Sequence, residues 1–254
     1  MTEPLIYLIY PYYENPQMLE RQIENWNRYS GLLRDRIRVI LIDDCSPDNP
    51  AEPIFEKCKA PKKLFRVKEN IPWGQHHARN VGARVIKGDD SWLFMSDMDV
   101  ILTPEALNNL IDINPDPGRY HTFARKFVGG VREDKYHCNT FMVTHKNFWA
   151  VNGYDCDYCG TYGGDGAFLR QLHQIAPHLH HGPEEKHVPR HAEMSGHTIT
   201  LWGYEADIIE DANTREWDRY GEMKKKYRKI FDAKRAAGDE RSKNPIRWDY
   251  ERVL

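Results

Sequence analysis

Asp97-Met98-Asp99 follows directly on Trp92-Leu93-Phe94-Met95, an apolar run of the length and bounds of a buried strand. Two carboxylates two residues apart at the end of such a strand project into a cleft, where open α/β sheets bind ligands. Mg²⁺ and Mn²⁺ take oxygen ligands and are shared between carboxylates and substrate phosphates. An isolated Asp-x-Asp is usually a solvated loop or helix cap; the preceding buried strand gives this one a chemical reading.

Three further segments carry reactive side chains. The run Leu5–Tyr10 ends in Pro11-Tyr12-Tyr13-Glu14, and the run Ile37–Ile42 ends in Asp43-Asp44-Cys45-Ser46-Pro47-Asp48. A carboxylate at that second ending can accept from a nucleobase N–H or a ribose hydroxyl; Asp44 and Ser46 also suit a turn or cap. Gly74-Gln75-His76-His77-Ala78-Arg79-Asn80-Val81-Gly82 opens a helix from which Arg79 offers a planar fork to phosphate, or stands as an exposed helix arginine. Gly163-Gly164-Asp165-Gly166 precedes an apolar helix. The glycines let backbone approach a ligand closely, and Asp165 is either an N-cap or a general base.

The elements that must position these groups alternate. Apolar runs at Leu5–Tyr10, Ile37–Ile42, Leu64–Val67 and Trp92–Met95 predict strands. Helices are predicted between them: one carrying Leu19, Ile23, Trp26 and Leu33, a short one at Pro53–Cys58, and one over Trp73–Lys87. Thr103-Pro104-Glu105 is a helix start with an N-cap, a proline at N1 and an acid in the first turn. The pattern predicts a mainly parallel sheet covered on both faces. Strands are expected at Tyr120–Phe127 and Asn139–Val143, a helix after Gly166, and a loop-rich stretch over His178–His197. Trp217, Tyr220, Tyr227, Ile230 and Phe231 form the stripe of a C-terminal helix, followed from Asp239 by a loose tail.

Composition narrows the classes. A chain of 254 residues with 40% hydrophobic residues and 12% aromatics folds as one large domain, or one domain with an appended segment. A net charge of −2 provides no field for nucleic acid. No apolar run approaches the ~18 residues of a membrane span, and the N-terminus lacks the pattern of a signal peptide. Five cysteines without framework spacing suit a reducing compartment, so a cytoplasmic location is expected. Cys156-Asp157-Tyr158-Cys159 reads as two ordinary thiols. Its zinc alternative needs two more ligands, from His173 or the His178-His180-His181 group. The basic Lys224-Lys225-Lys226 run reads as a solvated helix face, with peripheral membrane contact as the second reading.

Taken in order, the motifs resemble those of GT-A glycosyltransferases, in particular the inverting family-2-like enzymes. Pro11–Glu14 is similar to their Pro-x-Tyr-Asn, and Asp43–Asp48 to their Asp-Asp-Gly-Ser-x-Asp, with Cys45 in place of Gly. Ala78–Gly82 retains Ala-Arg-Asn-x-Gly, and Asp97–Asp99 is their Asp-x-Asp. Asn152-Gly153-Tyr154 and Gly160–Asp165 resemble the catalytic part of β-1,4-galactosyltransferases, with the Glu-Asp pair reduced to Asp165 alone. The resemblance implies a Rossmann-like GT-A domain over residues 1–210: a nucleotide-sugar half at 1–105 and an acceptor half at 106–210, with a helical extension and tail at 211–254.

The same resemblance implies metal-dependent transfer from a UDP-sugar or similar nucleotide-sugar donor to a glycan or other hydroxyl, with inversion. Pro11, Tyr12, Asp44, Arg79 and Asp97 would hold the donor. Asp99 and His191, in Val188-Pro189-Arg190-His191, would hold Mn²⁺ (or Mg²⁺), with His187 and His197 as alternative ligands. Asp165 would be the base, and Tyr162, Trp149 and Trp202 are candidate stacking surfaces. The competing classes are a binding protein that does not turn its nucleotide sugar over, a structural zinc module, and a nucleotidyltransferase. The last normally carries a Gly-rich loop where Pro11–Glu14 stands.

Overall fold

The computed structural model describes residues 5–129, 137–184, 188–204, 220–238 and 241–254; His187, Trp217 and the 210/211 boundary lie outside them. The apolar runs become β1 (Ile6–Tyr12), β2 (Ile37–Asp43), β3 (Lys62–Val67) and β4 (Trp92–Met95), a parallel block in the order β3-β2-β1-β4. Side chains alternate across this block, as the strand period requires. Leu8, Tyr10, Tyr12, Val39 and Leu41 enter one core, and Ile9, Ile40 and Ile42 the other.

Helices cover both faces. On the first pack α1 (Pro16–Asn27), α2 (Gly31–Arg36), α3 (Glu52–Phe55) and α5 (Pro104–Asp112); on the second pack α4 (Gln75–Arg84), α6 (His145–Ala150) and α7 (Gly164–His173). The single helix expected through Leu33 is two. Ser30 Oγ accepts from the Leu33 N–H at 3.3 Å and starts α2 afresh. Thr103 caps α5 as its sequence predicts, accepting from Ala106 N–H at 3.2 Å.

The sheet continues past β4 through antiparallel β7 (Phe141–Thr144) to β6 (Tyr120–Phe127), β10 (Thr200–Gly203) and β5 (Val100–Ile101). The histidine-rich stretch is more regular than expected, since β8 (His178–His181) pairs with β6 and β9 (Glu193–Met194) pairs with β8. α8 (Tyr220–Ala236) follows. Residues 241–254 are not a loose tail. β11 (Tyr250–Arg252) lies antiparallel on β3, and the Leu64 N–H donates to Leu254 O at 3.1 Å. Main-chain pairing of this kind leaves no mark on a charge-rich composition. Among the described residues, no helix is long and apolar enough to cross a membrane.

α4 lies flat on the sheet because Ala78 and Gly82 face it. A Cβ at Gly82 would sit 2.5 Å from Ile9 Cγ2 and 2.8 Å from Ile42 Cδ1. Gly82→Ala is therefore expected to lower stability by about 1–3 kcal/mol through overpacking, read as a lower denaturant midpoint at unchanged slope. An unchanged midpoint would show that α4 can lift off the sheet freely.

Candidate active site

Chain direction diverges on either side of β1, to β2 on one flank and β4 on the other, which opens a crevice at the carboxyl ends of these strands. Asp44 follows β2 and Asp97 follows β4. Into the same region α4 delivers Arg79, whose side chain is fully buried. One guanidinium nitrogen, Nη2, donates to Asp97 Oδ1; the other, Nη1, lies 3.4 Å from Asp165 Oδ1. Arg79 thus ties the two carboxylates together and is not open to solvent. Asn139 Nδ2 donates to the remaining Asp97 oxygen, Oδ2, at 3.1 Å, and His137 Nδ1 stands 3.9 Å from it.

Asp165 has a second cationic neighbour. His76 Nε2 lies 3.4 Å from Asp165 Oδ1, the oxygen that also faces Arg79. The His76 ring is buried and stacked on Tyr154 at 5.1 Å. Gly164 makes room for it: a Cβ there would come within 2.4 Å of His76 Cε1. Gly163 holds φ +124°, a conformation that L side chains rarely adopt, and turns the chain into α7. The glycine at 164 therefore admits a side chain of this chain, not a ligand.

The electrostatics follow from this packing. Burial alone would raise the Asp165 carboxyl, but His76 and Arg79 outweigh it and hold it at about 2. Burial would lower His76, and Asp165 overrides that, raising it to about 9. At neutral pH the site is a carboxylate clasped by an imidazolium and a guanidinium. Asp44 differs. Burial, with Asp43 beside it, pushes its carboxyl up to about 7. Its Oδ1 is buried without a hydrogen-bond partner, and a Cβ at Gly74 would lie 2.7 Å from its Oδ2.

The loops around Asp44 are fastened internally. Asp43 accepts from the N–H groups of Ser46 (2.8 Å) and Ala51 (3.0 Å), and Glu14 accepts from those of Asp48 (2.9 Å) and Asn49 (3.1 Å). Cys45 holds φ +62°, in the position where the resemblance has Gly. Tyr12 is fully buried and its hydroxyl donates to Asn49 O at 2.6 Å. The side chain therefore anchors a loop and presents no face to a donor. Pro11 stays partly exposed at the end of β1. Of the three stacking candidates, Trp149 packs on Phe148 and donates to His145. Trp202 is exposed on β10, and Tyr162 meets Trp73 edge-on at 5.9 Å.

The predicted metal ligands are not brought together. The Asp99 carbonyl accepts from Tyr204 N–H, beside the Gly203–Phe127 end of β10 and β6. His191 packs on His173 at 4.0 Å and on His178 at 5.6 Å, and His178 stacks on Tyr120 at the opposite end of β6. About 20 Å of strand separates the two ends. Asp97 already faces Arg79 and Asn139, and among the described residues no group of three or more His, Cys, Asp or Glu side chains could hold a metal ion. The residues present therefore do not fit the expected Asp99–His191 centre. Titration calorimetry with Mn²⁺ is therefore expected to give the same heats for His191→Ala as for the wild type; a heat lost in the variant would put the imidazole at a metal site. The zinc alternative fails likewise. Cys156 lies against Asn80 and Pro245 O, whereas His173 and the β8 histidines belong to the β6–β8 side.

His76, Asn139 and His137 join the site without belonging to any of the sequence motifs' candidate groups. A signal existed for His76, which stands three residues before Arg79 on one helical face. None existed for Asn139 or His137.

The fold and its crevice define an α/β domain of the nucleotide-diphospho-sugar transferase type. Residues 7–169 match the family described as Glycosyl transferase family 2, and the chain belongs to that family. Among curated proteins it is 29% identical over 107 residues to the undecaprenyl-phosphate 4-deoxy-4-formamido-L-arabinose transferase of Yersinia enterocolitica serotype O:8 / biotype 1B, and 26% identical over 116 residues to that of Yersinia pestis (strain Pestoides F). These matches cover 42% and 44% of this chain but 32% and 35% of the relatives, so the chain spans about a third of their length. Among solved structures, S. aureus TarS 1–349 superposes with a TM-score of 0.59 at 13% identity, covering 80% of this chain and 61% of that one. The mannosyltransferase PcManGT from Pyrobaculum calidifontis, in complex with GDP-Man and Mn²⁺, gives 0.57 at 14% identity, covering 80% and 57%. The fold is accordingly GT-A.

Proposed function

We propose that this domain transfers a sugar from a nucleotide-diphospho-sugar, with UDP as the first candidate carrier, to a hydroxyl acceptor with inversion at the anomeric carbon. The observation that carries the reading is the Asp97–Arg79–Asp165–His76 array at the carboxyl-end crevice. In it a carboxylate meets buried positive charge through one oxygen, Oδ1. Support comes also from the ligands bound in structural neighbours, UDP-GlcNAc for TarS and GDP-Man for the mannosyltransferase.

In this reading Asp44 accepts from the nucleobase or ribose through its unpartnered oxygen. Asp97, steadied by Arg79 and Asn139, orients the ribose or sugar. Positive charge on Arg79 attracts the diphosphate, whose negative charge in turn offsets the cation and lets Asp165 rise from its low resting value. Asp165 Oδ2 takes the acceptor proton as the hydroxyl oxygen bonds to the anomeric carbon. The bond from that carbon to the diphosphate breaks, and the nucleoside diphosphate departs with its electron pair. The curated relatives carry undecaprenyl-phosphate in their names, which makes a lipid-linked acceptor the first class to try.

The test is a calorimetric screen of UDP-sugars and GDP-mannose, each with Mn²⁺ and with chelator, followed by product analysis. Saturable binding of one donor, weakened at least about tenfold in Asp44→Ala, is expected from the loss of a charge-assisted hydrogen bond. Absence of binding by a folded protein would refute the reading, and binding without turnover would make the domain a nucleotide-sugar receptor.

A further inference from the structure

α8 has two unlike faces. Met223, Tyr227, Ile230 and Phe231 turn inward. Tyr227 lies 5.3 Å from Tyr158 and 5.8 Å from Phe231, and Arg170 stacks on Phe231 at 4.5 Å. Lys234 joins this face, reaching Asp155 at 2.8 Å and Asp157 at 2.7 Å. The outward face exposes Lys224, Lys225, Arg228, Lys229 and Arg235 against Glu222 and Asp232. The excess of three positive charges is local, on a chain whose net charge is −2.

The helix also has a telling position. A Cβ at Gly163 would lie 3.4 Å from the Tyr227 ring, and one at Gly160 would lie 3.2 Å from Lys226 Nζ. α8 therefore roofs the 160–163 segment that leads into Asp165. From Lys224 to Arg235 the basic face runs about 17 Å, enough to meet several headgroups at once.

We propose that the outward face of α8 docks the domain on an anionic lipid surface, with the 160–165 segment turned toward acceptors held there. The proposal rests on the transferase reading for its purpose but not for its test. The apolar stripe of α8 is already committed to the domain, so attachment is electrostatic and reversible, without insertion. A single-stranded nucleic acid is the poorer match, because Tyr227 and Phe231, which would stack on bases, face inward.

The experiment is co-sedimentation of the full chain with vesicles of phosphatidylcholine alone, or of phosphatidylcholine and phosphatidylglycerol in equal parts. Binding to the mixed vesicles only is expected, falling steeply between ~0.1 M and ~0.5 M NaCl as screening shortens the reach of the charges. Each basic residue at such a surface is worth about fivefold in partitioning. The triple variant Lys225→Glu/Arg228→Glu/Lys229→Glu should therefore bind at least about 100-fold more weakly. Its thermal midpoint and donor binding should stay those of the wild type.

Equal binding to neutral vesicles, undiminished binding by the variant, or tighter binding to soluble polyglutamate than to the mixed vesicles would each overturn the proposal. Wild-type protein that binds donor but no vesicle rejects the docking face and keeps the transferase. Protein that binds vesicles but no donor does the reverse.

Discussion

Asp165→Asn is expected to cut sugar transfer by about 10²–10⁴-fold, the range lost with a general base, while donor affinity stays within about twofold. The amide keeps the shape of the carboxylate but cannot accept the acceptor's proton. Arg79 keeps Asp97 as its partner, so the donor side of the crevice survives. The fold weakens by roughly 2–3 kcal/mol, the linkage value of a carboxyl held near 2 in the folded state. Single-turnover transfer and calorimetric donor binding on the same preparation measure both quantities. Loss of both together would remove Asp165 from the base role and make it a part of the donor site.

The second large effect is acid unfolding centred near pH 5. His178, His180 and His181 are buried in β8. Burial lowers His178 and His181 to about 3 and His180 to about 4. Thr122 Oγ1 bonds His178 Nε2 at 2.7 Å and His180 Nδ1 at 2.9 Å, and His121 Nδ1 meets His181 Nε2 at 2.9 Å. His173 and His191 close the far side. Because the folded values lie below the unfolded one near 6.5, the unfolded chain binds more protons as pH falls. The stabilisation is complete above about pH 6.5 and drains away toward pH 4–3. At pH 4.5 three such groups cost roughly 8 kcal/mol together, which is comparable with the whole stability of a domain. Circular dichroism against pH should show a cooperative loss between pH 4 and 6, moved to lower pH in His181→Gln. A fold intact at pH 3.5 would contradict it. The acid limb of activity then reports unfolding, not titration of Asp165.

What the sequence disclosed, and what it withheld, divides along the range of the interaction. Strand runs such as Trp92–Met95 and the Thr103 cap were legible because their causes are local: apolar period, a capping oxygen, a proline at N1. Asp97 and Asp44 were legible as residues at strand ends. Helical spacing alone points Arg79 outward, but its burial depends on two carboxylates 18 and 86 residues away. His76 was hidden because the space for it is made by Gly164, on another element. His191 was misplaced because a short strand, β8, carries its neighbourhood along the wrong end of β6. Tyr12 sits in a motif that suggests a binding surface, but strand alternation turns it into the core with Leu8 and Tyr10.

The clasp formed by residues 241–254 sets a timetable for the molecule as it is made. Asn80, next to Arg79, donates to Pro245 O at 2.7 Å across 165 residues of chain, and Trp248 N–H donates to His77 at 3.2 Å across 171. At the ribosome's pace of roughly 5–20 residues per second, the helix that carries Arg79 waits on the order of ten to thirty seconds for the backbone that completes its surroundings. During that interval β3 shows a bare edge, open to strands from neighbouring nascent chains. Production of this domain should therefore be limited less by its finished stability than by what shields that edge during synthesis.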